Sequence, residues 1–317
     1  MNRVVIAPAP HIYFNSDLDS PSEWREALAT QLEAFSFSTD AGLADPASVD
    51  IAVVWKLPEG GIARFVNLRA VLSLGAGINQ LNPRDLPPNV PLARLVDPSL
   101  THTMVEYAKA AVYRYHRQFH VFERNSRERR WTFIPPKVSS DTSVGVLGLG
   151  QIGGAIALAL SREGFNVRGW SRTQKQIDGL ATYTGDEGLE RMVGECDILI
   201  NVLPLTTETS HLLNRRLFSH CRPGMCLINM GRGLHLVEKD LIDAIAERRI
   251  DSATLDVAIQ EPLPPGHPFW NHPNILVTPH VAGISIPMTA VKNIAENIRR
   301  AMCGERLMNE VDLARGY

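Results

Sequence analysis

Ser143-Val144-Gly145-Val146-Leu147-Gly148-Leu149-Gly150-Gln151-Ile152-Gly153 is the stretch that decides the fold of this chain. A β-like apolar run leads into a G-x-G-x-x-G turn. Ile152, Ala155, Ile156, Ala159 and Leu160 then follow at i, i+3, i+4, i+7 and i+8, the spacing of an amphipathic helix. Strand, glycine turn and helix in that order give the motif a mechanism. Gly148 permits the tight turn, Gly150 lets the backbone approach a pyrophosphate, and Gly153 lets helix and strand pack closely. Leu149, Gln151 and Ile152 complete the turn. Unpaired N–H groups and the dipole at the helix N-terminus favour an anion there. The expectation is a bound dinucleotide; a purely structural glycine turn is the plainer alternative.

The choice of dinucleotide is read about 20 residues further on, at the end of the second strand. Residues 166–170 predict that strand, and Ser171, Arg172, Thr173 and Lys175 follow it. A protein selective for NAD places an acid here to hold the ribose hydroxyls. This loop has none. Serine and threonine hydroxyls can hydrogen-bond a 2′-phosphate, and a guanidinium can pair with it bidentately. NADPH is the expected cofactor, with NADH as second choice. The bland reading is a polar loop with surface cations.

Working outward, residues 4–7, 51–55 and 70–74 read as short buried strands, the last ending at Gly75-Ala76-Gly77. Ser20-Pro21-Ser22-Glu23 predicts a capping box with proline at the first helical position, and Trp24, Ala27, Leu28 and Leu32 continue at helical spacing. A second helix is expected over 101–119. Further strands are expected at 198–200, 226–228, 253–257 and from 275. Strands alternating with helices predict an α/β protein with doubly wound parallel sheets.

Composition bounds the partners. The chain has 317 residues, 44% hydrophobic and 21% charged, with a formal charge of −2. That balance gives no electrostatic reason to expect a polyanion. The most basic stretch, 124–131, is interrupted by Glu128 and sits in no nucleic-acid motif, so it reads as a solvated face or a subunit contact. No apolar run approaches the roughly 18 residues of a membrane span, and no secretory core is apparent, so the cytoplasm is expected. The four cysteines, at 196, 221, 226 and 303, contain no C-x-x-C pair. They read as reduced thiols with no metal role.

Three residues follow strand ends further along: Arg232 within Asn229-Met230-Gly231-Arg232-Gly233, Glu261 before Pro262, and His280 within Thr278-Pro279-His280-Val281-Ala282-Gly283. Any one alone has an ordinary structural reading, such as an ion pair or a satisfied histidine. Together they make an acid–base relay with an anion clamp.

At these residues the chain resembles the D-isomer-specific 2-hydroxyacid dehydrogenases, over nearly its whole length. Leu255-Asp256-Val257 through His267-Pro268-Phe269-Trp270 adds to the match. Leu74-Gly75-Ala76-Gly77, Trp170-Ser171-Arg172-Thr173 and the terminal 311–317 are similar to the glyoxylate/hydroxypyruvate reductase A branch of that family. The resemblance implies two Rossmann-like lobes with the cofactor lobe inserted: 1–100 and 288–317 for substrate, 101–287 for dinucleotide. It implies reduction of a small 2-keto acid. Arg232 would bind the carboxylate and keto oxygen, His280 would donate the proton, and Glu261 would hold His280. Backbone N–H groups of Ala76 and Gly77 would take the carboxylate, and Asp256 would lie near the nicotinamide amide. Trp55 and Trp131 would line the substrate pocket, Trp131 from the partner in a homodimer; packing is the alternative for both. Gly283 stands where some relatives carry a hydroxyl residue, which loosens the expected specificity. A broader 2-keto-acid reductase and a nucleotide-sensing, corepressor-like binding protein are the rival readings, and turnover separates them.

Overall fold

The computed structural model describes residues 9–40, 43–57, 61–78, 80–81, 85–87, 89–283 and 285–311. The chain divides into two units, 1–100 with 285–317, and 101–284.

In the first unit, β1 (His11–Asn15), β2 (Ser36–Ser38), β3 (Ile51–Val54), β4 (Ala70–Ser73) and β5 (Leu92–Ala93) form a parallel sheet in the order β2-β1-β3-β4-β5. Every residue of β3 and β4 is buried, as in parallel sheets covered on both faces. One face packs against Trp24, Ala27 and Leu28 of α1 (Pro21–Ala29) and against Ala290, Val291, Ile294 and Ile298 of α8 (Pro287–Cys303). The other face holds Tyr13, Val54 and Val71 under Ile62, Phe65 and Leu81. The strand expected at residues 4–7 lies outside the described residues. Pro21 opens α1 as expected, but the capping box does not form: Ser20 makes no side-chain cap, and its hydroxyl lies 2.8 Å from that of Ser22 instead.

The second unit carries β6 (Ser143–Leu147), β7 (Asn166–Trp170), β8 (Ala181–Tyr183), β9 (Ile198–Asn201), β10 (Met225–Asn229), β11 (Ile250–Leu255) and β12 (Ile275–Val277). Their order is β12-β11-β10-β9-β6-β7-β8, with all pairings parallel. Its helices are α2 (Pro98–His116), α3 (Phe119–Arg127), α4 (Gln151–Arg162), α5 (Gly185–Gly194), α6 (Arg215–His220) and α7 (Glu238–Ala246). The chain leaves β6 toward β7 and β8, then returns to β9 on the opposite side. Strand order reverses there, at the crevice where such sheets bind ligands. Because all seven strands are parallel, the loops after β6, β7, β9, β10, β11 and β12 gather at one edge of the sheet.

The helix expected over 101–119 starts at Pro98 and stops at His116, where Gln118 takes the left-handed φ of 60° and α3 begins. The basic stretch is divided. Arg124 turns inward to Asp251 and Ser252 of β11, and Asn125 is buried. Beyond them the chain runs outward, and Trp131 is 102% exposed.

Candidate active site

The glycine turn is built where β6 ends. Gly148 adopts φ +100°, a conformation that strains any side chain, and donates its N–H to the Trp170 carbonyl at 2.8 Å. A Cβ on Gly153 would lie 1.7 Å from the Gly148 carbonyl oxygen, so α4 crosses the turn at a distance only glycine allows. Gly150 caps α4 without a side-chain hydrogen bond, and a Cβ there would meet nothing within 4 Å. Open space beside uncapped first-turn N–H groups suits a phosphate. What Leu149 presents at the turn is backbone, because its side chain is buried over Gly169, where a Cβ would come within 2.4 Å of Leu149 Cδ2. Gln151 is exposed and Ile152 half-buried.

Gly153→Ala is expected to cost about 1–3 kcal/mol of stability through this overpacking, and to weaken dinucleotide binding. A thermal melt and a fluorescence titration with NADPH read the two effects. Unchanged values in both would remove the steric role of the glycine.

After β7, Ser171 is buried; its N–H reaches the Tyr183 carbonyl at 3.1 Å and its hydroxyl donates to the Thr173 carbonyl at 2.8 Å. The Thr184 hydroxyl holds the Arg172 carbonyl at 2.8 Å. These contacts shape the loop and leave Arg172, Thr173 and Lys175 on its exposed side. An acid does come near from the loop after β9. Glu208 is held below the ordinary carboxylate range, first by the Thr206 hydroxyl and least by the charge of Arg172.

Arg232 follows β10. Its Nη1 donates to the Gly231 carbonyl at 2.8 Å. Burial lowers the guanidinium below its ordinary value, and the charge of Glu261 opposes that shift. A Cβ on Gly233 would sit 2.0 Å from the Ala258 carbonyl, so the loops carrying Arg232 and Glu261 touch backbone to backbone. Glu261 Oε1 accepts the Ala258 N–H at 2.9 Å, and Oε2 accepts His280 Nδ1–H at 2.7 Å. Burial pushes the Glu261 carboxyl up. The bonds from His280 and Ala258, with the charges of His280 and Arg232, outweigh that and leave it below its ordinary value.

His280 itself is held at φ 55°, an uncommon conformation for a non-glycine residue. Asp256, at the end of β11, fixes its loop. The Asp256 carbonyl accepts the His280 N–H at 2.8 Å. Its Oδ1 accepts from the Thr278 hydroxyl at 2.6 Å and the Val281 N–H at 2.9 Å, and Oδ2 accepts from the Ala282 N–H at 2.8 Å. The Tyr107 hydroxyl, 2.6 Å from Thr278 Oγ1, extends the chain of bonds. Burial raises the Asp256 carboxyl although these donors pull the other way. Sequence reasoning placed Asp256 beside the cofactor and missed this anchoring work, along with Thr278 and Tyr107.

In the five-stranded unit, Trp55 and the Gly75-Ala76-Gly77 loop follow the neighbouring strands β3 and β4. A Cβ on Gly75 would lie 2.9 Å from the Trp55 ring and 2.9 Å from the Gly77 carbonyl, so the two features are in contact. The Ser73 hydroxyl accepts the Gly75 N–H at 3.1 Å, and Gln80 Nε2 donates to the Gly77 carbonyl at 3.2 Å. Trp55 is half-buried against the α1/α8 core. The exposure of Trp131 rules out core packing for that residue.

One further donor cluster lies away from these loops. His120, Cys226 and Asp251 bring potential ligand atoms within 4.8 Å of one another. His120 Nε2 is already paired with Asp251 at 2.9 Å, Arg124 adds a positive charge at 3.6 Å, and burial pushes the Cys226 thiol up. These neighbours oppose a cation.

Residues 110–282, more than half of the chain, match the family described as D-isomer specific 2-hydroxyacid dehydrogenase, NAD binding domain. A Serratia proteamaculans (strain 568) protein named glyoxylate/hydroxypyruvate reductase A is 39% identical over 314 residues, spanning 97% of this chain and 98% of its own length. The chain belongs to the D-isomer specific 2-hydroxyacid dehydrogenase family. Solved structures agree. A D-isomer specific 2-hydroxyacid dehydrogenase from Xanthobacter autotrophicus Py2, in complex with NADPH and MES, has a TM-score of 0.89 and 41% identity, covering 98% of this chain and 100% of that one. An NADPH-dependent glyoxylate/hydroxypyruvate reductase from Sinorhizobium meliloti, in complex with NADP and sulfate, has a TM-score of 0.89 and 33% identity over 98% of this dehydrogenase and 100% of its own chain. The family and α/β fold expected from the sequence are those found.

Proposed function

We propose that this dehydrogenase reduces glyoxylate and hydroxypyruvate to the corresponding 2-hydroxy acids with NADPH. The observation that carries the reading is the 2.7 Å hydrogen bond between His280 and Glu261 at the sheet edge that also bears Arg232 and the glycine turn. A bound reduced nicotinamide supplies the hydride. The chain supplies the rest. Arg232 orients the substrate carboxylate and meets the charge that develops on the keto oxygen. His280, with Nδ1 committed to Glu261, delivers the proton from Nε2. The N–H groups of Ala76 and Gly77 would take a carboxylate, with Trp55 beside them, and Asp256 would lie near the nicotinamide amide. Residues 101–284 thereby form the dinucleotide-binding unit, and 1–100 with 285–317 the substrate unit.

The NADPH assignment is supported by the Ser171, Arg172, Thr173 and Lys175 loop and by relatives crystallised with NADPH or NADP. The enzyme works in the cytoplasm, where reduced nicotinamide cofactors are supplied. It works as a homodimer, with the arm that exposes Trp131 and Phe133 as the contact between copies, because exposed aromatic rings on an extended arm favour burial against a partner.

The test follows loss of nicotinamide absorbance with glyoxylate and either NADPH or NADH. Fast oxidation of NADPH alone supports the whole reading. Preference for NADH removes the phosphate-site assignment. Absence of turnover with glyoxylate, but turnover with larger keto acids, shifts the substrate.

A charge-removing variant tests the relay. Against the opposing effect of burial, Glu261 is held below its ordinary value by the His280 and Ala258 hydrogen bonds. In Glu261→Gln the carboxylate that holds the His280 ring is gone, and kcat for glyoxylate is expected to fall. Unchanged kcat would remove Glu261 from the relay.

A further inference from the structure

We infer that His235 is the positioning residue for Arg232: as a neutral acceptor, it fixes the main chain from which the substrate-binding guanidinium extends. The inference deepens the reading above, since it concerns the arginine of the same site.

His235 lies three residues beyond Arg232 and is fully buried, as are Asn201 and Asn229. The two asparagines close adjacent strands, β9 and β10, and are paired in register. Their amide orientations follow from backbone partners. The Leu203 N–H donates to Asn201 Oδ1 at 3.3 Å, so Asn201 Nδ2 faces Asn229 Oδ1 at 2.9 Å and His235 Nδ1 at 3.0 Å. The Arg232 N–H also donates to His235 Nδ1, at 3.0 Å. A backbone N–H can only donate, so this nitrogen is an acceptor and the ring proton sits on Nε2, facing the Pro204 carbonyl at 3.3 Å.

The same network holds the other side of the Arg232 peptide. The Arg232 carbonyl accepts from Asn229 Nδ2 at 3.3 Å and from the His235 N–H at 3.2 Å. Gly231 belongs to the arrangement, for a Cβ there would come within 2.9 Å of Asn201 Nδ2 and 3.0 Å of His235 Nδ1. Both peptide groups flanking the arginine Cα are therefore fixed by buried side chains rather than by water. A second proton on His235 would have to enter at Nδ1, against two donors already aimed there. Burial first, and the charge of Arg232 after it, lower His235 to about 4, so the ring stays neutral where the enzyme works. Arg232 is the charged group that acts on it; its other polar neighbours are the neutral Asn201 amide and the Pro204 carbonyl.

A histidine that only filled space here would tolerate an apolar replacement of similar bulk. One that positions Arg232 requires an acceptor at the Nδ1 location. Asparagine supplies such an acceptor on a short side chain; leucine has none, and glutamine carries its amide one carbon too far. The test measures oxalate affinity by calorimetry in the NADPH complex, and kcat and KM for glyoxylate, in His235→Leu, His235→Gln and His235→Asn. His235→Leu and His235→Gln are expected to weaken oxalate and raise KM roughly ten- to hundredfold, the loss produced by misplacing a binding group by about 1 Å. NADPH affinity is expected to stay unchanged, and His235→Asn to recover most of the loss. Wild-type oxalate affinity and KM in a folded His235→Gln, or no recovery in His235→Asn, would overturn the inference. A wild-type enzyme inert toward keto acids would place the fault with the functional reading, and the oxalate series still decides the role of His235.

Discussion

Arg232→Ala is expected to lower kcat/KM for glyoxylate by about a thousandfold while leaving NADPH affinity within a factor of about two. In the proposed reaction the guanidinium serves two charges. It would hold the carboxylate in the ground state, so its loss raises KM. It would also meet the negative charge appearing on the keto oxygen, so its loss lowers kcat. Burial removes competing water and strengthens both interactions. Arg232→Lys keeps the charge but loses the planar fork, and much of the defect is expected to remain. Steady-state kinetics with an independent NADPH titration checks this. A change in KM alone would restrict Arg232 to ground-state binding.

His280→Gln gives the second large effect, a fall in kcat on the order of 10²–10⁴. Glutamine can still hydrogen-bond to Glu261, and the loop stays anchored through Asp256, so the site is expected to remain built while its proton source is gone. NADPH binding is expected to persist while reduction is lost. Retained wild-type turnover would move the proton donor elsewhere. The two variants are also expected to combine non-additively, since hydride arrival and proton delivery belong to one transition state.

Much of the fold and of the candidate site was legible in the sequence because the candidate residues lie at strand ends, and buried parallel strands are continuous apolar runs. Residues 143–153 declared both a strand and its glycine turn, and the Arg232, Glu261 and His280 loops each follow such a run. What escaped depends on three-dimensional proximity. β1 contributes only Ile12, Tyr13 and Phe14 as an apolar core between His11 and Asn15, too short a run to stand out. The break at Gln118 carries no glycine or proline to announce it. The bonds by which Asp256 holds residues 278, 281 and 282 join segments more than twenty residues apart in the chain. A signal for the asparagine network was present: β9 and β10 both end their apolar runs in asparagine, at Asn201 and Asn229. The sequence did not show that the strands are neighbours in register.

The close seat of Leu149 over Gly169 bears on redesign. Gly169 and Trp170 belong to the framework: one accommodates Leu149, and the other donates its indole N–H to the Gly185 carbonyl at 2.9 Å. Immediately downstream, Arg172, Thr173 and Lys175 place their side chains on the surface. On the proposed coenzyme assignment, stability and coenzyme choice are thus written in adjoining but separate letters. An engineer seeking to exchange one nicotinamide coenzyme for the other has a modular target beginning at Arg172, and should leave the two residues before Ser171 untouched.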